Sequence, residues 1–416
     1  MILLDSLKRG GVQQGVLLLA PRLDRAKYEV QVWSLRDGKK DRALAGEFEA
    51  VGVPVAFYAV DGFHDRRGIL KLAAGLRRGR IELLNTRSFL PNIIGRMAAV
   101  IAGTPVVVAN YHHTYEHRWT RKYVACERVL RNYTASFVCV SKAVKDFLQP
   151  IVAFEDERTK VIYNGLDVQS YASGVGKEEL RKRIGLPEGG PIIAYIGRLA
   201  PIKDVPTFIR SASVVLRDLP EARFLVVGGG ESRKELEELV RSMDLGRVVS
   251  FLGSRQDVPD ILNAVDCLVL PSLAEGFPRI ILEAFASRTP VVTTPASGVA
   301  EIVEHEETGL IVPFKDTERL AASILKTLKN NEETLNRCEK AFLRVQEFTL
   351  DSWVQQVEDV FDVETEREEY GKIEVFYANA ANRLFPFERH LQYWELKMKM
   401  RIVTLFASGR QSDEKP

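Results

Sequence analysis

The sequence contains few of the residues that crosslink a chain or bind metals. Its 416 residues include four cysteines, which are widely spaced and form no Cys-x-x-Cys pair. Most of them lie among apolar neighbours, so we expect buried free thiols of a reducing compartment rather than a disulfide framework or a metal site. The four are Cys126, Cys139, Cys267 and Cys338. Histidine is also scarce, and the one tight cluster among the six is His112 with His113.

Long hydrophobic runs are missing as well. The longest uncharged stretch, residues 97–115, is interrupted by Gly103-Thr104-Pro105 and ends in polar residues. Near the N-terminus, the apolar core of residues 16–20 is too short for a signal peptide. We therefore predict neither a signal peptide nor a membrane-spanning helix.

Length and charge distribution carry more information. A chain of 416 residues predicts about two domains. Its net charge of +2 conceals an asymmetry, because residues 1–150 carry 24 Lys and Arg against 13 Asp and Glu, a net +11. The remainder carries 34 against 43, a net −9. The basic first part indicates an anionic partner for that part of the chain.

Residues 66–80 have the pattern of a basic amphipathic helix. Ile69, Leu72, Ala73 and Leu76 fall on one side. Around them are six cations, namely Arg66, Arg67, Lys71, Arg77, Arg78 and Arg80. Two interpretations stay open: a helix packed on a sheet with a charged outer face, or a patch that binds anionic lipid headgroups.

Residues 267–293 have the pattern of a strand, a helix and a second strand. The apolar run 267–270 ends at Pro271, a loop follows, and Pro278 stands at a first helical position. Glu275 lies in the loop and Glu283 on the second helical turn. Loops of this kind bind ligands in parallel sheets, where two carboxylates can accept hydrogen bonds from a polyol. The alternative is that both glutamates are solvated surface residues.

Three other turns carry candidate ligand groups. Arg198 and Lys203 flank a strand-to-helix turn, where two cations suit a diphosphate. Gly10 and Gly11 precede a helix, where the backbone could approach a phosphate or sugar. A predicted strand over 105–109 leads to the histidine pair.

Two of these stretches resemble the signatures of glycosyltransferase family 4, the retaining nucleotide-sugar enzymes of the GT-B fold. They are Glu-Gly-Phe-Pro-x(4)-Glu-Ala at 275–284 and Gly-Arg-Leu-x(3)-Lys at 197–203. The resemblance implies that Glu275 holds hexose hydroxyls, Glu283 the ribose, and His112 the transferred sugar. It implies catalytic roles for His112, Arg198, Lys203 and Glu275. The implied donor-binding residues are Gly10, Gly11, Arg198, Lys203, Arg255, Glu275, Gly276, Phe277, Pro278 and Glu283.

The same resemblance spans roughly residues 1–363 and sets the expected architecture. We expect an α/β protein of the GT-B fold, in which two Rossmann-like domains face a cleft, with an extra, mostly helical C-terminal tail. The expected divisions are an acceptor-side domain at 1–170, a linker at 171–190, a nucleotide-sugar-binding domain at 191–350, a returning helix at 351–363 and the tail at 364–416. Asp204, Ser297 and Ala300 depart from the family pattern, which leaves the shape of the donor loop open. For the tail, packing on the body, membrane contact and dimerisation all remain open.

The function implied is transfer of a hexose, with retention, from a nucleotide diphosphate sugar to a hydroxyl of a glycan or lipid-linked glycan acceptor. Such transfer would serve cell-surface polysaccharide or glycoconjugate synthesis. No Asp-x-Asp occurs in the sequence, so we predict a metal-independent enzyme without a cofactor. We expect a cytoplasmic protein at the inner face of an anionic membrane, with no nucleic acid partner. A catalytically inactive nucleotide-sugar-binding protein and a GT-B epimerase or phosphorylase are the alternatives. Donor, acceptor and oligomeric state stay open.

Overall fold

Two separate parallel sheets form the framework of the molecule. The computed structural model describes residues 1–114, 118–187 and 189–366. The first sheet has seven strands in the order β3-β2-β1-β4-β5-β6-β7. They are β1 (Ile2–Leu4), β2 (Val32–Ser34), β3 (Val55–Phe57), β4 (Leu83–Arg87), β5 (Val106–Tyr111), β6 (Ser136–Cys139) and β7 (Thr159–Val161). The accompanying helices are α1 (Gly11–Leu19), α2 (Ala45–Ala50), α3 (Arg66–Arg78), α4 (Phe89–Ala102), α5 (Arg121–Leu130) and α6 (Lys142–Val152).

The second sheet has six strands in the order β10-β9-β8-β11-β12-β13. They are β8 (Ile192–Ile196), β9 (Arg223–Val227), β10 (Val249–Gly253), β11 (Cys267–Leu270), β12 (Val291–Thr293) and β13 (Leu310–Ile311). The helices from here to the end of the described chain are α7 (Lys177–Ile184), α8 (Val205–Asp218), α9 (Arg233–Ser242), α10 (Val258–Ala264), α11 (Arg279–Ala286), α12 (Thr317–Lys329), α13 (Asn331–Val345) and α14 (Leu350–Glu366). The predicted pair of parallel α/β units is confirmed.

Hydrophobic packing explains this arrangement. Strands β5, β8 and β11 are largely buried apolar runs, as expected for parallel strands covered on both faces. Helices α3, α4 and α5 cover one face of the first sheet through residues such as Leu72 and Ile93. Helices α1, α2 and α14 cover its other face through residues such as Leu19, Phe48 and Trp353.

The structure changes one expectation about the linker. Residues 177–184, assigned from the sequence to a linker, form α7 instead. Leu180 is fully buried in the core of the second sheet, and Arg181 donates to Asp266 at 2.5 Å. The glycine- and proline-rich residues at 185–191, which follow this helix, led the whole stretch to be assigned to a linker. The short helical segment before them was therefore missed.

The chain crosses from one sheet's unit to the other's twice, and the two crossings lie side by side. The amide of Leu166 donates to the carbonyl of Phe348 at 2.9 Å, and the amide of Leu350 donates back to Leu166 at 3.0 Å. Helix α14 then packs on the first sheet, where Phe361 makes an edge contact with Tyr28. Residues 367–416, which include nearly all of the expected tail, lie outside the described residues.

Candidate active site

The carboxyl ends of the two sheets face each other across a closed cleft. Gly276, in the loop after β11, lies so close to the end of β5 that an added Cβ would be 2.0 Å from the carbonyl oxygen of His112. The rings of Phe277 and Tyr163 also meet across the cleft, with centroids 5.0 Å apart. Any side chain at Gly276 would therefore separate these two loops.

Lys203 and Glu275 contact each other directly at this junction. Lys203 follows β8 and Glu275 follows the neighbouring strand β11, so parallel pairing brings both to one edge. Lys203 Nζ lies 2.6 Å from Glu275 Oε1, with side chains 18% and 9% exposed. Each of these buried charges compensates the other in the absence of ligand.

Glu283 lies on α11, one turn beyond Arg279. Burial raises the pKa of Glu283, while the charge of Arg279 and a hydrogen bond from Tyr171 partly oppose this rise. The closest approach of Arg279 Nη2 to Glu283 Oε1 is 3.8 Å, and Nε and Nη1 of Arg279 have no hydrogen-bond partner among the described residues. This carboxylate is therefore incompletely compensated and can accept further hydrogen bonds.

Sequence reasoning missed Tyr171 and Arg279. The i,i+4 spacing of Arg279 and Glu283 on a helix was a usable signal for Arg279. Tyr171 gave no such signal, because it lies in the predicted linker and reaches Glu283 only through the tertiary fold. Gly15 of α1 also approaches Arg279, since an added Cβ there would lie 3.5 Å from Nη1. The helix after Gly10 and Gly11 is thus brought beside the start of α11.

His112 lies just past β5 and is partly exposed, although its Nε2 atom is buried. Burial, with a smaller contribution from the positive charge of Arg87, lowers its pKa to about 3. Its Nε2 has no hydrogen-bond partner among the described residues. A neutral imidazole thus stands with one free ring nitrogen opposite Gly276.

The remaining predicted site residues differ in their exposure and in their distance from the Lys203–Glu275 pair. Arg198 is exposed after β8, and its carbonyl accepts a hydrogen bond from Tyr195 at 2.8 Å. Pro278 immediately precedes α11 as its N-cap rather than occupying the first helical position. Arg255 lies beyond the edge strand β10, and its guanidinium is bonded to Asp257. The structure therefore does not bring Arg255 into the Lys203–Glu275 cluster.

A second loop completes the cleft despite its departures from the family pattern. The amide of Gly298 donates to the carbonyl of Glu275 at 3.0 Å, and an added Cβ at Gly298 would lie 1.9 Å from the carbonyl oxygen of Gly276. Glu301, three residues on, accepts hydrogen bonds from the amides of Lys142 and Ala143, both at 2.8 Å. A carboxylate beyond β12 thus caps α6 of the first sheet.

Two Rossmann-like units that face each other across a polar cleft, with the last described helix returning to the first unit, form a GT-B fold. Residues 9–170 match the family described as Glycosyltransferase Family 4, and residues 176–343 match Glycosyl transferases group 1. The chain belongs to glycosyltransferase family 4, and it is an enzyme that uses nucleotide sugar donors.

Individual relatives are consistent with this assignment. The chain is similar to UDP-Gal:alpha-D-GlcNAc-diphosphoundecaprenol alpha-1,3-galactosyltransferase of Escherichia coli, with 26% identity over 362 residues, 84% of this chain and 93% of the relative. It is also similar to D-inositol 3-phosphate glycosyltransferase of Corynebacterium urealyticum, with 26% identity over 285 residues, 66% of this chain and 67% of the relative. Among solved structures, Anabaena Alr3699/HepE in complex with UDP-glucose matches with a TM-score of 0.75 and 25% identity, over 87% of this chain and 98% of that one.

Proposed function

We propose that this enzyme transfers a hexose from a UDP-sugar, with retention at the anomeric carbon, to a hydroxyl of a glycan or lipid-linked acceptor in cell-surface glycoconjugate synthesis. The observation that carries the proposal is the Lys203–Glu275 pair and the buried Glu283, which flank the Gly276 loop where it meets His112 of the opposite sheet. UDP is chosen because the E. coli relative is named for UDP-Gal and the Anabaena structure contains UDP-glucose.

Donor binding would proceed by exchange of partners. Lys203 and Arg198 would bond the diphosphate, and Glu275 would then accept from hexose hydroxyls. Glu283, at the second turn of α11, would accept from the ribose. The N-termini of α1 and α11 would add positive potential beside the phosphates. Arg255 would act through the backbone near the base, since its side chain is bonded to Asp257.

The same residues would stabilise the departing nucleotide. Negative charge grows on the β-phosphate as the glycosidic bond breaks, so cations and helix N-termini contribute most at that stage. These groups would serve without a metal ion, in accord with the absence of Asp-x-Asp from the sequence. No side chain is assigned as a nucleophile; the leaving phosphate itself can take the acceptor proton.

A lipid-linked acceptor would place the first sheet at the inner face of the membrane. The outer side of α3 supports this placement, because its cations are exposed together with Leu70, which is 46% exposed. In the described residues no helix is both long enough and apolar enough to span a bilayer. The membrane contact proposed is therefore peripheral and electrostatic.

Donor binding and stereochemistry test this proposal separately. UDP at 100 times its dissociation constant should stabilise the enzyme by about 2.7 kcal/mol in thermal unfolding, and GDP and ADP at equal concentration should stabilise it less. Transfer from a UDP-α-hexose should give an α-linked product by proton NMR. A β-linked product would exclude retention, and equal stabilisation by all three nucleotides would exclude UDP selectivity.

A further inference from the structure

Two arginines are fully buried under the first sheet of this enzyme, and they differ in their compensation. Arg96 bonds the carboxylate of Glu127, the hydroxyls of Tyr111 and Thr134, and the carbonyl of Asn92. Its buried charge is matched by a carboxylate and its donors are used. This is the expected state of a buried arginine.

Arg87 is equally buried, at 2% exposure, but has no carboxylate beside it in the described part of the chain. Its Nε donates to Asn85 Oδ1 at 2.8 Å, and its Nη2 has no hydrogen-bond partner within residues 1–114, 118–187 and 189–366. Burial alone lowers the pKa of Arg87 to about 10, so the guanidinium is still charged at neutral pH. An uncompensated buried charge is costly unless a ligand supplies the counter-ion.

The position of Arg87 identifies where that counter-ion would be. Arg87 is the last residue of β4, and β4 pairs with β5, which leads to His112. Arg87 pairs with Asn110, two residues before His112, and its positive charge contributes to the lowered pKa of His112. The side-chain Nδ2 of Asn85 and the Nε2 of His112 are also buried, without hydrogen-bond partners among the described residues. Three such polar groups thus lie along the second half of β4 and just past the end of β5, in the first sheet.

We propose that Arg87, with Asn85 and His112, binds an oxyanion carried by the acceptor sugar, so that the enzyme selects acceptors bearing a phosphate or carboxylate beside the accepting hydroxyl. A guanidinium bonds either group bidentately. The inference rests on the proposed function, because it places the anion opposite the donor hexose. It adds the chemical class of the acceptor, which the donor site does not determine.

The test measures ligand affinity by calorimetry on full-length enzyme saturated with UDP, so that the diphosphate site is occupied. The probes are a hexose 1-phosphate, a methyl hexuronide and the neutral methyl hexoside. At least one anionic probe should bind the wild type tenfold or more tightly than the neutral one, and the tighter of the two identifies phosphate or carboxylate. Arg87→Gln should abolish this preference and leave UDP affinity unchanged.

Asn85→Asp provides a second variant that keeps Arg87 and nearly the same side-chain shape. The new carboxylate would lie against the guanidinium and satisfy it internally. This variant should melt at a higher temperature than the wild type and lose at least tenfold in affinity for the anionic probe, because the counter-ion position is already occupied. Arg128→Gln, an exposed arginine on α5 of the same unit, is the control and should change neither quantity.

Each outcome is decisive. UDP binding without any preference for anionic probes would overturn this inference while leaving the donor site intact. A tenfold loss of UDP affinity in Arg87→Gln would assign Arg87 to the donor and also overturn it. A preference that survives in Asn85→Asp would contradict the counter-ion argument. If UDP fails to bind the wild type, the proposed function fails, and this inference with it.

Discussion

Lys203 and Glu275 show how single residues of this site are kept in place before any substrate binds. Glu275 is buried and Lys203 is largely so, and an uncompensated buried charge costs several kcal/mol. Pairing at 2.6 Å offsets that cost and holds both side chains at the edge of the second sheet. In the proposed function, donor binding would exchange one set of charged hydrogen bonds for another, which would limit the reorganisation required.

Glu283 and Glu275 should respond differently to substitution. Glu283→Ala should weaken binding of both UDP and the intact donor by about ten- to a hundredfold, through loss of a charged hydrogen bond to ribose. Glu275→Gln should leave UDP affinity nearly unchanged, because UDP lacks the hexose. Its turnover should fall about a hundredfold as the anomeric carbon is misplaced.

Calorimetry with UDP and steady-state turnover separate these two effects. Lys203→Ala should reduce both affinity and turnover. Tyr171→Phe, which removes one hydrogen bond to Glu283, is the milder control. Wild-type turnover in Glu275→Gln would show that the glutamate does not hold the sugar.

His112 predicts a pH dependence of stability. Its pKa is about 3 in the folded protein against 6.5 when unperturbed, so between these values the unfolded state binds more protons. The free energy of unfolding should therefore fall as pH drops below about 6.5, by up to about 1.4 kcal/mol per pH unit. Above about pH 6.5 the side chain is neutral in both the folded and the unfolded state, so this loss of stability does not arise.

Denaturant unfolding at pH 7, 6 and 5 measures this contribution against a His112→Gln variant, which does not titrate. The wild type should lose more stability than the variant over this range. Parallel losses in the two proteins would mean that His112 titrates normally.

Most candidate site residues of the second sheet could be proposed from the sequence because their chemistry is local. Glu275 and Glu283 share one loop and helix, and Arg198 and Lys203 share one turn. Arg87 gave no signal, because nothing in the sequence shows that its neighbours include no carboxylate. That property depends on which strand lies beside β4, which hydrophobic periodicity does not specify.

At the scale of elements, α3 shows a sequence pattern whose geometry was correctly predicted and whose role is still a proposal. Its apolar side packs on the first sheet and its cations face outward, which suits either interpretation of the helix. One cation has a structural role. Arg77 donates to the carbonyls of Ile101 and Ala102 at the end of α4.

A four-residue variant that spares Arg77 tests membrane binding. Changing Arg66, Arg67, Lys71 and Arg78 to Gln should abolish binding to vesicles containing acidic lipid, since each cation near such a surface contributes about 1 kcal/mol. Binding is measured by co-sedimentation with the vesicles. Wild-type binding should also be weaker with neutral vesicles and with added salt. Unchanged binding by a folded variant would leave α3 as scaffold alone.

Element boundaries were predicted best where strong periodicity met a clear stop. The basic helix was expected over 66–80 and is found at Arg66–Arg78. Helix α7 was missed because six of its eight residues are charged, and Leu180 and Ile184 are its two apolar residues. Its place on the second sheet depends on contacts with α10, which lies about eighty residues away in sequence.

At the scale of the whole molecule, closure of the cleft depends on Glu301. This carboxylate accepts from two amides at the start of α6 and from the hydroxyl of Tyr163 at 2.9 Å. A negative charge at a helix N-terminus is stabilising. Here the carboxylate belongs to the unit of the second sheet and α6 to the unit of the first, so the stabilising contact crosses the cleft. The contact therefore favours the closed arrangement.

Glu301→Ala should shift the enzyme toward an open form. We expect a larger radius of gyration by small-angle X-ray scattering and lower turnover with unchanged UDP affinity, because the donor contacts of the second sheet are untouched. Glu304→Ala, an exposed glutamate of the same loop, is the matched control. Identical scattering and turnover in Glu301→Ala and the control would show that this contact does not hold the cleft closed.

The return of α14 to the first sheet has a consequence for how such enzymes exchange their first units in evolution. Trp353, Val357 and Phe361 are core residues of the first unit although they follow the second in the chain. A gene fragment that replaced residues 1–165 alone would leave this apolar side against a foreign surface. A recombinant enzyme that exchanges its first unit must therefore inherit two segments together, residues 1–165 and the segment that contains α14, and single-crossover chimeras should fold poorly.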